Sequence, residues 1–175
     1  MLLRSFILFS LSYISVISCQ QVKITSAQLN YLNLDYININ TYSADLKKVN
    51  STYTALPLHW GVIKDFPKNT LLITEVIRYK DSSLKEERGR QSFVVKICDK
   101  NDPYRVALPP FLLKLTEEGN CVKKGEYEFS DAGQFQFYKI LPEEVITGYY
   151  FDTVNWIKTD DTLIKKLHIS SKSNK

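Results

Sequence analysis

The sequence predicts an all-β domain, a two-sheet sandwich or a barrel, and three observations carry that expectation. Apolar and polar residues alternate with period two along most of the chain, and Asn, Asp, Gly and Pro punctuate the runs. Helical periodicity is scarce. The 175 residues, 44% hydrophobic and 24% charged, suffice for one core and fall short of two. Nine Phe, eleven Tyr and two Trp exclude a disordered chain, and six Gly with six Pro exclude collagen-like and low-complexity classes. Basic residues number 23 and acidic residues 19, a formal charge of +4, so no clustered basic footprint for nucleic acid is indicated.

The amino terminus reads as a secretory leader over residues 1–19: Arg4, an apolar run from Phe6 through Ile17, then small residues ending at Cys19. That run, with Ser interspersed, is short of the roughly 20 residues a membrane span needs. Cleavage after Ser18 or after Cys19 both fit, the second leaving no odd thiol. Residues 20–175 then form a single domain, expected to be secreted or extracellular. Cys98 and Cys121 remain, and in an oxidising compartment two cysteines default to one disulfide. Closing that loop stabilises by about 3 kcal/mol in the chain-entropy account. Asn50-Ser51-Thr52 is a glycosylation sequon in a polar stretch, where a surface turn is expected.

Strand candidates follow in order. Val22 to Leu32 and Tyr36 to Tyr42 come first. Leu56, Leu58, Trp60 and Val62 then share a face opposite Pro57, His59 and Gly61, before a turn at Asp65-Phe66-Pro67-Lys68-Asn69. Thr70 to Tyr79, rich in Leu, Ile, Val and Thr, reads as the returning strand. Lys80 to Arg90 is expected to be a solvated loop, and Ser92 to Cys98 a strand with Phe93, Val95 and Ile97 in phase. Later runs put Tyr127 with Phe129, Phe135 with Phe137, and Tyr150 with Val154 and Trp156. After a turn at Thr159 to Thr162, Leu163, Lys165, Leu167 and Ile169 alternate in the last strand, which makes eight or nine strands in all.

One segment between the cysteines breaks the pattern. Pro103 to Thr116 contains Pro109-Pro110, which interrupts a strand, and Phe111-Leu112-Leu113-Lys114-Leu115, too apolar for an ordinary surface loop. Two readings stand: a loop or helical turn folded on the core, or a mobile flap over an opening into the interior.

Catalytic motifs are scarce. His59 and His168 lack metal-ligand spacing, no nucleophile elbow or phosphate loop appears, and the cysteines are committed to each other. The pairs Glu86-Glu87, Glu117-Glu118, Glu143-Glu144 and Asp160-Asp161 fall in predicted loops and read as solvated. Neither an enzymatic activity nor a metal or cofactor is expected. Lys123-Lys124 and Lys165-Lys166 together would form a basic rim, suited to anionic lipid headgroups.

From the second cysteine on, Cys121-Val122-Lys123-Lys124-Gly125-Glu126-Tyr127 and Leu141-Pro142-Glu143-Glu144-Val145-Ile146-Thr147-Gly148-Tyr149-Tyr150, with Cys98-Asp99 before them, resemble the ML lipid-recognition superfamily. The likeness is to ganglioside activators and their insect chemosensory relatives. It covers Cys98 to about Lys158, and it departs from the activators in having one cysteine pair and Val122 in place of a proline.

The resemblance implies an immunoglobulin-like two-sheet sandwich, with an apolar cavity between the sheets and a flap loop bounded by Cys98 and Cys121. It implies a lipid or other apolar small molecule as partner, with transient membrane-surface contact and a receptor or lipid-processing enzyme as further partners. The expected lining is Leu58, Trp60, Val62, Leu72, Val76, Phe93, Val95, Tyr127, Phe129, Phe137, Tyr150, Val154 and Trp156, with Leu108, Phe111, Leu112 and Leu115 at the mouth. Each of these residues also fits a plain filled core, which would make the chain an interaction module for a protein partner.

Overall fold

Period-two alternation becomes antiparallel pairing nearly everywhere in the computed structural model, which describes residues 22–50, 54–131 and 149–173. Ten strands lie among them: β1 (Val22–Leu32), β2 (Ile37–Ser43), β3 (Lys47–Lys48), β4 (Thr54–Ala55), β5 (Leu58–Val62), β6 (Leu71–Tyr79), β7 (Glu87–Lys96), β8 (Gly125–Phe129), β9 (Tyr150–Lys158) and β10 (Leu163–Ser173). The one α-helix among the described residues is α1 (Pro110–Leu115), between 3-10 turns at Arg105–Ala107 and Glu117–Gly119. The chain is therefore all-β in class. The leader, Phe135, Phe137 and the Leu141 to Gly148 motif lie outside the described residues.

Five strands pair in the order β1-β10-β9-β6-β7, three in the order β2-β5-β8, and β3 and β4 form a small ribbon. All strand pairings among the described residues are antiparallel, so one face of each long strand can be apolar and the other polar. In the five-stranded sheet, Val95, Leu72, Ile157 and Lys165 stand side by side in register. The next row holds Phe93, Thr74, Asn155 and Leu167.

Both sheets supply side chains to one buried cluster. Ile37, Leu58, Trp60 and Val62 come from β2 and β5, and Leu72, Val95, Ile157 and Ile164 from the larger sheet. A second cluster gathers Ile24, Leu56, Val76, Phe151, Leu167 and Ile169. Trp60 meets Phe66 and Phe111 edge-to-face, with ring centroids 5.6 and 5.9 Å apart, and Phe111 lies 5.3 Å from Phe129.

The structure corrects three expectations. The solvated loop ends earlier than predicted: β7 begins at Glu87, with Gly89 opposite Arg78 and Arg90 opposite Ile77. As the sheet's edge strand, β7 tolerates charge where a central strand would not, and Arg90 is held by Glu75 (2.8 Å) and Glu87 (3.1 Å). In β9 the face turned to the core carries Thr153, Asn155 and Ile157, while Tyr150, Val154 and Trp156 are half-buried on the other face. Cations cover those outward rings: Lys166 lies 5.5 Å from Trp156 and Lys172 5.2 Å from Tyr150. Lys165 belongs to no rim; it is buried on the core side of β10.

Candidate functional site

Pro110 opens α1 at the position where its missing N–H costs nothing and its fixed φ favours a helix. The six residues that follow the Pro109 cap bury Phe111 and Leu112 and leave Lys114 exposed. The second-cysteine segment is anchored separately. Asp65 accepts from the Lys124 amide (2.7 Å) and from Lys123 Nζ (3.1 Å), which holds its carboxyl below the usual carboxylate range. The Phe66 amide donates to the Val122 carbonyl at 2.9 Å. Cys98 and Cys121 are joined, closing a loop with a sequence separation of 23.

Arg105 fastens the helix from beside it. Nη1 donates to the Ile97 carbonyl at 3.0 Å, and Nη2 to the Thr116 carbonyl at 2.7 Å and hydroxyl at 3.0 Å. Thr116 in turn donates from Oγ1 to the Leu112 carbonyl at 2.6 Å, satisfying one of the helix's last acceptors. Sequence inspection missed Arg105, because a lone arginine in a loop carries no spacing signal.

Under the helix lies a small cleft. Its walls are Tyr42, Ala44, Leu56 and Leu58 on one side and Leu72, Asn155, Ile157, Lys165 and Leu167 on the other, with Pro109, Phe111 and Leu112 completing it. The space in which a water can be centred is about 20 Å³, room for one or two waters. Most of the walls are apolar. Three polar side chains interrupt them: strand register places Lys165 opposite Ile157 and Asn155 opposite Thr74, while Tyr42 lies in the stretch of β2 between Asn38 and Ser43 where the pairing with β5 is irregular.

Lys165 is 4% exposed, and its Nζ lies 4.9 Å from the Tyr42 ring centroid and 5.5 Å from that of Trp60. Burial lowers its ammonium from 10.5 to about 7, because the charged form loses hydration there. The same burial pushes the Tyr42 phenol up. Asn155 accepts from Thr74 Oγ1 at 2.8 Å, while its Nδ2 and the Tyr42 hydroxyl have no hydrogen-bond partner among the described residues.

Of the residues expected to line a cavity, Leu58, Leu72, Phe111 and Leu112 border this cleft. Trp60, Val62, Val95 and Leu108 are buried in the same cluster, and Leu115, Tyr127 and Phe129 pack partly buried against it. Val76 and Phe93 belong to the second cluster, Tyr150, Val154 and Trp156 face away, and Phe137 lies outside the described residues. Asn50 of the sequon is exposed at a bend. Among the described residues no helix is long and apolar enough to cross a membrane, and no three His, Cys, Asp or Glu side chains gather as metal ligands would. No family model matches the sequence. No curated protein matches it either.

Proposed function

We propose that the protein is a secreted, non-enzymatic lipid-binding protein, which holds an acyl chain or similar apolar ligand between the two sheets of an immunoglobulin-like sandwich. Its role would be transport, presentation or chemosensing. The observation that carries the reading is the cleft itself: leucines and isoleucine from both sheets face it, and the apolar side of a cystine-bounded helix closes it. Burying an acyl chain there gains about 25 cal/mol for each Å² removed from water. Entry requires α1 to move, since the space as folded takes one or two waters. α1 is thus the flap of this reading, and its short length and boundary disulfide suit a segment that swings without unfolding. The leader, the disulfide and the likeness to the ML superfamily support secretion and the lipid class. The absence of catalytic motifs in the sequence supports a binding role.

The test is native mass spectrometry of the purified disulfide-bonded protein, followed by denaturing extraction. A stoichiometric lipid, or uptake of one on incubation with fatty acids, phospholipids and sphingolipids, is the expected result. A bare mass after every incubation would sink the carrier reading.

A second reading has its own support. Trp60, Leu108 and Leu112 are almost fully buried, as in a filled core, and a domain so packed would act as an interaction module for a protein or receptor. Exclusion of a neutral apolar dye from the native protein would favour it.

A further inference from the structure

The polar side chains of the cleft share one property: what they have to spare is donors. Lys165 has three N–H bonds and no acceptor atom, and among the described residues no carboxylate pairs with it. Asn155, 4% exposed, spends its oxygen on Thr74 and leaves Nδ2 unpartnered. The Tyr42 hydroxyl is likewise unpartnered, and among the described residues no Asp or Glu borders the cleft. Buried donors left unmatched are costly, and a buried cation is costlier unless an anion meets it. Ring faces of Tyr42 and Trp60 lie beside the ammonium, but they supply no full negative charge.

We propose that the cleft takes a carboxylate-headed apolar ligand, a long-chain fatty acid, with its head group against Lys165 Nζ and with Asn155 Nδ2 and the Tyr42 hydroxyl as neutral donors. One cation matches one monoanion, and a phosphate head would bring more bulk than a narrow cleft accommodates. The ring of leucines and isoleucine around the three donors takes the start of the chain, and α1 lies over the remainder. Burial lowers the Lys165 ammonium to about 7, consistent with a cation that lacks a counter-ion within the fold. This assignment rests on the lipid-carrier reading and adds the head group to it.

The experiment is displacement of a neutral fluorescent probe, N-phenyl-1-naphthylamine, from the delipidated disulfide-bonded protein by palmitic acid, its methyl ester and hexadecanol. Palmitic acid is expected to bind at least roughly tenfold tighter than the ester, as a charge-assisted hydrogen bond would give. In Lys165→Met the preference should collapse while the ester binds as before. Equal binding of acid and ester to the native protein, or a preference that survives in Lys165→Met, overturns the head-group assignment and leaves the carrier reading standing. Failure of the probe and all three ligands to bind overturns both. Lys165→Gln gives the same readout should the methionine variant not fold, and the native acid-to-ester ratio decides the matter without either.

Discussion

Arg105 and Thr116 are joined twice, through the carbonyl at 2.7 Å and the hydroxyl at 3.0 Å, and Arg105 carries the connection on to Ile97. The end of β7 and the end of α1 are thereby held by one planar group, a geometry lysine would not reproduce. Replacing Arg105 by Met keeps the apolar stem and strands two part-buried carbonyls. A loss of about 1–3 kcal/mol is expected in urea unfolding. Amide exchange at Leu113 and Thr116, which donate to the Pro109 and Leu112 carbonyls, should accelerate. Unchanged exchange at both would show that the helix is held by its apolar side alone.

The disulfide acts on the same segment from its outer ends. Removing it as Cys98→Ala with Cys121→Ala should cost about 3 kcal/mol, the entropy of an unclosed loop of this size. Combined with Arg105→Met, the two losses should fail to add, because both release the loop between Ile97 and Val122. Strict additivity in denaturant midpoints would mean that the two restraints act on independent motions.

Lys165 makes stability depend on pH above neutrality, in the same direction as the lowered carboxyls of Asp65, Asp81 and Glu87 but in a more alkaline window. Its folded value of about 7 lies below the ordinary 10.5, so between those limits the unfolded chain binds more protons than the native one. Stability therefore rises with pH through that window, at roughly 1.4 kcal/mol per pH unit and up to about 5 kcal/mol in all, and is flat with respect to this group below about 7. Tyr42, Tyr79 and Tyr127, whose phenols burial pushes above 10, act the other way once the unfolded chain loses those protons. The difference between native protein and Lys165→Met isolates the lysine. The variant should be the more stable near neutrality, and the gap should narrow toward pH 10. A constant gap would count against a depressed lysine.

Phe111 touches both Trp60 and Phe129 and borders the cleft. Phe111→Ala should lower stability by about 3–5 kcal/mol, the usual cost of emptying a buried aromatic site. If the vacated space joins the cleft, the variant should take up small apolar molecules such as benzene or xenon. A loss below about 1 kcal/mol would show that α1 settles inward and refills the gap.

Much of the fold was legible because one face of each strand differs from the other. β5 and β6 alternate cleanly, and the cysteine pair admitted a single partner choice. β9 misled because its phases are inverted: the outward face holds Tyr150, Val154 and Trp156, sheltered by Lys166 and Lys172, while the inward face spends two positions on Thr153 and Asn155. Hydrophobicity alone assigns the aromatic phase inward, and no local pattern records that a lysine stem covers a ring. Lys165 was visible as an inward position in the alternation of β10, yet a Lys-Lys pair reads as surface. Its burial follows from register with Leu72 and Ile157, which only the pairing supplies. The start of β7 was hidden for the converse reason, since an edge strand needs no apolar face.

The larger sheet places β10 between β1 and β9, with Val22 opposite Ser173. Among the described residues, β1, the first strand in the chain, thus pairs with the last strand to be made. The hairpin of β6 and β7 can close while synthesis continues, because its two strands are neighbours along the chain. β1 must wait, with the loop-closure entropy of nearly the whole domain still to be met when β10 arrives. Until then its unpaired backbone is open to other chains, which gives chaperones their longest interval of work at the amino-terminal strand.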